Sequence, residues 1–276
     1  MEPVLQIREL ADPTTLAAVA DLQARVWGAA DVVPVHQTLT AVRHGGLVLG
    51  AFVGGELAAF LYAFPGWDGQ EVHLCSHMLA VAPEFRRLGL GRALKWAQRD
   101  WALARGYRLV TWTYDPLETV NAHLNLTVLG AVADGYLADC YGAMDDPLNQ
   151  GLATDRCLVR WHVASDRVAT RARGDPPVRQ VAALPAVLAA VVRSDGWPVP
   201  GDVAVNLTGP RLVMSVPAQF QALKRADLEL GRRWRAAVRQ ALVTYMARGY
   251  RASECQLAAG EPLGWYLLVA APAEGG

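Results

Sequence analysis

The sequence predicts an α/β protein of two domains, and three features carry that expectation. Two apolar strand segments meet at Gly54-Gly55; an alternating strand from Val72 to Val81 runs into a glycine-containing bend and then a helix; apolar periodicity lapses between residues 165 and 178. At ~100 to 200 residues per domain, a chain of 276 residues can fill two cores. The expected division is a first domain over 1–164, a linker at 165–178, and a smaller α+β domain over 179–276.

Asp12-Pro13 supplies an N-cap with proline at the first helical position, and Leu16, Val19, Leu22 and Val26 recur at helical spacing, so a first helix should end near Gly28. Leu47 to Phe64 is nearly long enough to span a bilayer, but Gly54, Gly55 and Glu56 sit in its middle and read as a tight hairpin. In the next strand Val72, Leu74, Ser76 and Met78 alternate with His73, Cys75, His77 and Leu79. Apolar residues at 90, 94, 97, 101 and 104 make a helical stripe stopped by Gly106, followed by a strand at Arg108 to Tyr114. Asp115-Pro116-Leu117-Glu118 reads as a capping box opening a helix that runs to Gly130, and Cys157 to Val163 as a strand. The second domain offers strands at Arg211–Val216, 251–257 and 265–270. Between them one long helix is expected from about Gln219 to Arg248, with Trp234, Val238, Leu242 and Tyr245 on its buried stripe.

Acidic and basic residues total 26 each with no long run of either sign, which excludes the basic footprint of a nucleic-acid binder and favours a small-molecule partner. Only Lys95 and Lys224 are lysines. Cys75, Cys140, Cys157 and Cys255 lie far apart without a CxxC pair, which argues against a metal site or disulfide framework. With no signal-peptide pattern at the N-terminus and no membrane span, the expected location is cytoplasmic. A homodimer is left open.

The stretch "VAPEFRRLGLGRAL" carries the chemistry. Its glycines leave backbone N–H groups unshielded and the following helix adds partial positive charge, a cradle for an anion such as a diphosphate. Arg86, Arg87 and Arg92 add charged donors. A nucleotide-hydrolase P-loop is excluded because no Gly-Lys-Ser/Thr follows. A Rossmann site, and with it a nicotinamide dehydrogenase, is disfavoured on two counts. Leu94 stands where the third glycine belongs, and seven residues separate Val81 from Gly89. A plain surface turn remains open.

The order strand, Arg86-x-x-Gly89-x-Gly91, helix, with "NAHLNLTVLGA" later, resembles the GNAT superfamily of N-acyltransferases over roughly Leu5 to Val163. "CSHMLAV", "TWTYDPL" and "NAHLNL" look like its two-domain branch, generally described as acetyltransferases. Some members of that group resemble partners of N-acylamino-acid racemases, which implies succinyl transfer to an amino acid. The resemblance implies a mixed central sheet flanked by helices and acetyl-CoA or another acyl-CoA as co-substrate, with no metal. It implies that the backbone at Leu79 and Val81 pairs with the pantetheine arm, that amides over Arg87, Leu88, Gly89, Leu90, Gly91 and Arg92 hold the diphosphate, and that an N–H near Leu79 polarises the thioester carbonyl. Asn121 is a further candidate contact for the pantetheine or diphosphate.

An attacking amine must be neutral, so a base is expected. The family's glutamate position falls on Cys75, which leaves His77 as the expected base and His73 as a neighbour on the substrate side; Glu71 is a weaker choice. The family's tyrosine acid falls on Leu126, so Tyr141, with Tyr136, is the substitute candidate. Arg156 is suited to a carboxylate on the acceptor. The expected activity is direct N-acyl transfer to a small amine in a ternary complex, with a non-catalytic acyl-CoA sensor as the alternative.

Overall fold

The computed structural model describes residues 4–144, 150–174 and 184–271. Its elements are β1 (Leu5–Glu9), α1 (Pro13–Trp27), α2 (Val35–Arg43), β2 (Leu47–Val53), β3 (Glu56–Trp67), β4 (Val72–Val81), α3 (Leu90–Ala104), β5 (Leu109–Tyr114), α4 (Thr119–Ala122), β6 (Val132–Leu137), β7 (Arg156–His162), α5 (Asp166–Ala172), β8 (Ala186–Val192), β9 (Pro198–Val203), β10 (Arg211–Pro217), α6 (Phe220–Ala226), α7 (Leu228–Ala247), β11 (Tyr250–Leu257) and β12 (Leu263–Ala270). The chain divides into two compact units: Met1–Trp112 with His162–Ala172, and Thr113–Trp161 with Arg173–Gly276. Helix α5 lies in the stretch expected to be a linker, whose residues 175–178 fall outside the described set. No helix among the described residues is long and apolar enough to cross a membrane.

In the first unit the strands lie in chain order β1 to β5, antiparallel up to β4 and parallel between β4 and β5. Helix α1 starts as the sequence requires, because the Asp12 carboxylate accepts from the Thr14 and Thr15 amides at 3.0 Å. Its Leu16, Val19 and Leu22 pack with Leu10, Val48, Phe60, Tyr62, Ala80 and Ala82 in one buried cluster. Each such side chain contributes ~1.5–3 kcal/mol by leaving water. Paired residues in an antiparallel ladder point to the same face. Ser76 pairs with Ala63, on the face opposite Tyr62, and Ser76 is held from α3 by Lys95; helices α1 and α3 therefore cover opposite faces.

In the second unit the strand order is β7-β6-β11-β12-β10-β8-β9, with β8 parallel to β10 and the other registered neighbours antiparallel. Helix α7 buries Trp234, Val238, Leu242 and Tyr245 completely, as its stripe requires.

Four expectations change. The helix expected over 219–248 is two, because Asp227 adopts extended backbone (φ −150, ψ 91) and its carboxylate caps the Leu230 amide at 2.9 Å. The helix expected from residue 115 begins only at Thr119 and turns π-helical over His123–Val128; Asp115 instead caps the Leu117 amide at 2.8 Å. Strands β1, β6, β8 and β9 and helix α2 had no sequence prediction. The face assignment along β4 also changes, with consequences for chemistry.

Candidate active site

Strand β4 carries one extra residue relative to β3. Leu79 pairs with Leu61 and Met78 with Tyr62, but Ala63 pairs with Ser76, so His77 is the unpaired residue of a β-bulge. A bulge shifts the alternation by one. His73 and Cys75 share a face with Phe64 and the α1 cluster, and His77 joins them with its ring 5.9 Å from Tyr62 and 5.6 Å from Phe64. Leu79, expected beside them, instead points to the α3 face, where its Cδ2 lies 3.4 Å from the site of a Cβ on Gly91. Met78 moves to the α1 cluster in exchange. His77 is exposed at the surface, yet desolvation among the neighbouring rings holds its pKa below the usual histidine value. His73 is packed flat against the backbone, since a Cβ on Gly66 would fall 2.5 Å from its Nε2, and its buried Nδ1 finds no partner among the described residues.

The ladder between β4 and β5 registers Leu74 with Val110 and Cys75 with Thr111, and stops there. From Ser76 onward the two strands fork and β4 offers a main-chain edge on that side. Beyond Val81 the chain turns through Pro83–Phe85 into the glycine bend. Gly89 sits at φ +74 as the N-cap of α3, and a Cβ there would meet nothing within 4 Å, so conformation and not space demands glycine. Arg87 holds φ 70 without that freedom. Ala93 is the first amide after the bend with a backbone partner, Gly89 O at 3.0 Å; those of Arg87 to Arg92 have no acceptor among the described residues. Six amides thus stand without acceptors at the positive end of a fifteen-residue helix. Arg86, Arg87 and Arg92 are exposed around them, while the nearby acid Glu84 is turned away and paired with Arg25 at 2.5 Å.

Under the fork lies a group the sequence reading passed over. Lys95, 4% exposed, hydrogen-bonds Ser76 Oγ at 3.1 Å and Gln98 Oε1 at 2.9 Å, with Nζ 3.5 Å from the Trp112 ring centroid. Desolvation pulls its pKa well below the usual lysine value, and the nearby Cys75 opposes that shift. Burial raises the Cys75 thiol, with Lys95 and Thr111 acting the other way.

Tyr141, Asn121 and Arg156 belong to the second unit. Tyr141 is 55% exposed and shares a hydrogen bond with Thr113 at 3.0 Å. Asn121 is exposed on α4. Arg156 is already engaged: its Nη1 donates to the Asp155 carbonyl at 2.9 Å, lies 3.8 Å from Asp115, and its guanidinium stands 5.2 Å from the Tyr141 ring centre. Tyr136 donates to Asp155 at 2.5 Å, and burial followed by that carboxylate pushes its pKa upward, which makes it a poor proton donor. Asp115 forms a buried two-pronged pair with Arg235, and Asp155 a second with Arg239. Partners separated by 120 and 84 positions leave no local sequence signal.

Comparison with known proteins follows this geometry. The model of the Acetyltransferase (GNAT) family matches residues 6–124. No curated protein matches the chain. Among solved structures it is similar to the ribosomal-protein-S18-alanine N-acetyltransferase of Escherichia coli (20% identity, 59% of this chain and 96% of that one, TM-score 0.48). It is also similar to a GNAT-family acetyltransferase of Streptococcus pneumoniae (19%, 57% and 98%, 0.47). A third similar structure is yncA of Salmonella typhimurium, solved with acetyl-CoA (18%, 58% and 95%, 0.48). The glycine bend, bulge and fork all lie inside the stretch over which the chain matches the GNAT acetyltransferase family model.

Proposed function

We propose that the protein is an acyl-CoA-dependent N-acyltransferase that moves an acetyl or succinyl group to the amine of a small molecule, such as an amino acid, by direct attack in a ternary complex. The observation that carries this reading is the set of six unacceptored amides from Arg87 to Arg92 beside an open strand edge. A diphosphate suits the amides and the flanking arginines, and an extended amide-bearing arm suits the edge from Val81 back to Ser76. Coenzyme A combines both parts and, when acylated, supplies a thioester carbonyl. The arm can run only as far as the fork is open, so the reactive end belongs near Ser76 and His77.

His77 is the base in this reading. An α-amino group near pKa ~8 is mostly protonated at neutral pH, and an imidazole kept below ~6.5 is ready to accept its proton. A backbone N–H of β4 at that end, at the bulge between Ser76 and Leu79, polarises the carbonyl, a role that needs no side chain. Direct transfer needs no enzyme nucleophile, consistent with a Cys75 thiol whose pKa is raised.

Two assays test the reading. Coenzyme A should raise the melting temperature while NAD does not. Acetyl-CoA or succinyl-CoA with pooled amino acids and polyamines should release free thiol. Stabilisation by coenzyme A without thiol release from any amine would replace the enzyme by an acyl-CoA sensor.

A further inference from the structure

A departing thiolate needs a proton or a positive charge, and the two residues placed to supply it meet where the fork closes. Ser76 is the first residue of β4 past its ladder with β5, and its hydroxyl accepts from Lys95 Nζ at 3.1 Å. Gln98 and the face of Trp112 fix the same ammonium, so its direction is set. Both side chains are buried, Lys95 at 4% and Ser76 at 7% exposure, but Ser76 belongs to the strand along which the acyl-bearing arm would run, so contact with the arm falls to its hydroxyl. On the opposite face of β4 stands His77, so a proton acceptor and a proton donor flank one point of the strand.

We propose that Ser76 and Lys95 form the proton-donating pair for the leaving thiolate, Ser76 as the catalytic contact and Lys95 as the positioning residue that charges it. The proposal rests on the acyl-CoA reading above. As the acceptor nitrogen bonds to the acyl carbon, the carbon–sulfur bond breaks with its electron pair on sulfur. Ser76 gives its proton to that sulfur and takes one from the Lys95 ammonium; His77, having passed the acceptor ammonium's first proton to solvent before the attack, removes the second that nitrogen sheds. Solvent then returns a proton to Lys95 and takes one from His77. The depressed lysine pKa helps, because an ammonium at the ordinary ~10.4 is a weak acid toward a thiolate of ~8.5. Around Lys95, β2 and the first-unit part of β5 carry no ionisable side chain. Strand β3 carries Glu56 and Tyr62, β4 carries His73, Cys75 and His77, and α3 carries Arg92, Arg99 and Asp100. Of these Cys75 interacts electrostatically with Lys95, each thereby favouring the other's charged form.

The test uses Ser76→Ala, Lys95→Met and Lys95→Arg in the full chain. Coenzyme A affinity is measured by calorimetry and acyl transfer is followed from about pH 6 to 10. Ser76→Ala and Lys95→Met should each lower kcat at least ~10-fold with Kd for coenzyme A changed less than ~3-fold. The wild-type fall in kcat at alkaline pH should vanish in Lys95→Met and move beyond the range in Lys95→Arg. A second readout needs no acceptor: the pH dependence of Cys75 alkylation, followed by peptide mass spectrometry, should shift to higher pH in Lys95→Met. Wild-type kcat in both Ser76→Ala and Lys95→Met, an equal loss of coenzyme A affinity, or an unmoved Cys75 titration would each overturn the pair. If Lys95→Met does not fold, Ser76→Ala and Lys95→Arg carry the test. If wild-type protein transfers nothing to any amine, the enzyme reading fails separately, and the Cys75 titration still decides whether the lysine charge reaches the fork.

Discussion

Gly89→Ala separates the conformational demand of the glycine bend from its packing. The added methyl meets no atom within 4 Å, so any effect comes from φ +74. Holding an alanine there costs ~1–2 kcal/mol. The chain can accept that strain or relax it by rotating the bend, and relaxation redirects the amides of Leu88 to Gly91. Losing two charge-assisted amide–phosphate bonds at ~1.5–3 kcal/mol each removes ~3–6 kcal/mol of binding. At ~1.4 kcal/mol per decade, that weakens coenzyme A by at least ~100-fold. The assay is calorimetric titration with coenzyme A beside a urea melt of the free protein. Stability should fall by no more than ~2 kcal/mol, and Gly89→Asn, whose side chain tolerates the left-handed region, should fall between wild type and alanine in both measurements. Wild-type affinity in a folded Gly89→Ala protein whose stability is also unchanged, the mark of a relaxed bend, would refute the assignment of these amides to the diphosphate.

Arg87→Gly should relieve ~1–2 kcal/mol of strain at φ 70 and return ~0.4–1 kcal/mol to the unfolded chain. The net outcome is an unfolding free energy from urea melts raised by up to ~1.6 kcal/mol, together with weaker and less salt-sensitive coenzyme A binding. Arg235→Met strands the Asp115 carboxylate, which keeps the Leu117 amide and Arg156 at 3.8 Å. Denaturant melts should show a loss of ~3 kcal/mol, the low end for a broken buried pair, partly recovered by adding Asp115→Asn. For His77 the folded pKa is depressed, so its contribution to stability is complete above ~6.5 and is lost as pH falls through the folded value. His77→Gln should flatten that slope in melts between pH 5 and 7. It should also cut turnover at least ~10-fold and remove the acid limb of kcat/KM.

What the sequence makes legible is what depends on neighbours in the chain. Arg86-x-x-Gly89-x-Gly91 reads as an anion corner because glycine and a helix start act over six residues, and the structure leaves those amides open. The break at Asp227 is equally local, an N-cap masked in the sequence by apolar spacing that continues past it. The bulge at His77 is different in kind. Both phases of β4 carry a mixture of apolar and polar residues, so a one-residue shift leaves the period-2 pattern plausible on either side, and only the register against β3 reveals it. The same holds for Lys95, whose place on an otherwise amphipathic helix looks like a surface lysine until Ser76 and Trp112 arrive from other strands. Bulge and buried lysine fall where β4 leaves β5, which is where a regular strand would have continued its ladder and closed the edge. The departures from local pattern therefore coincide with the stretch where the β4–β5 ladder ends, and Ser76 and His77 are the polar side chains that stretch presents on its two faces.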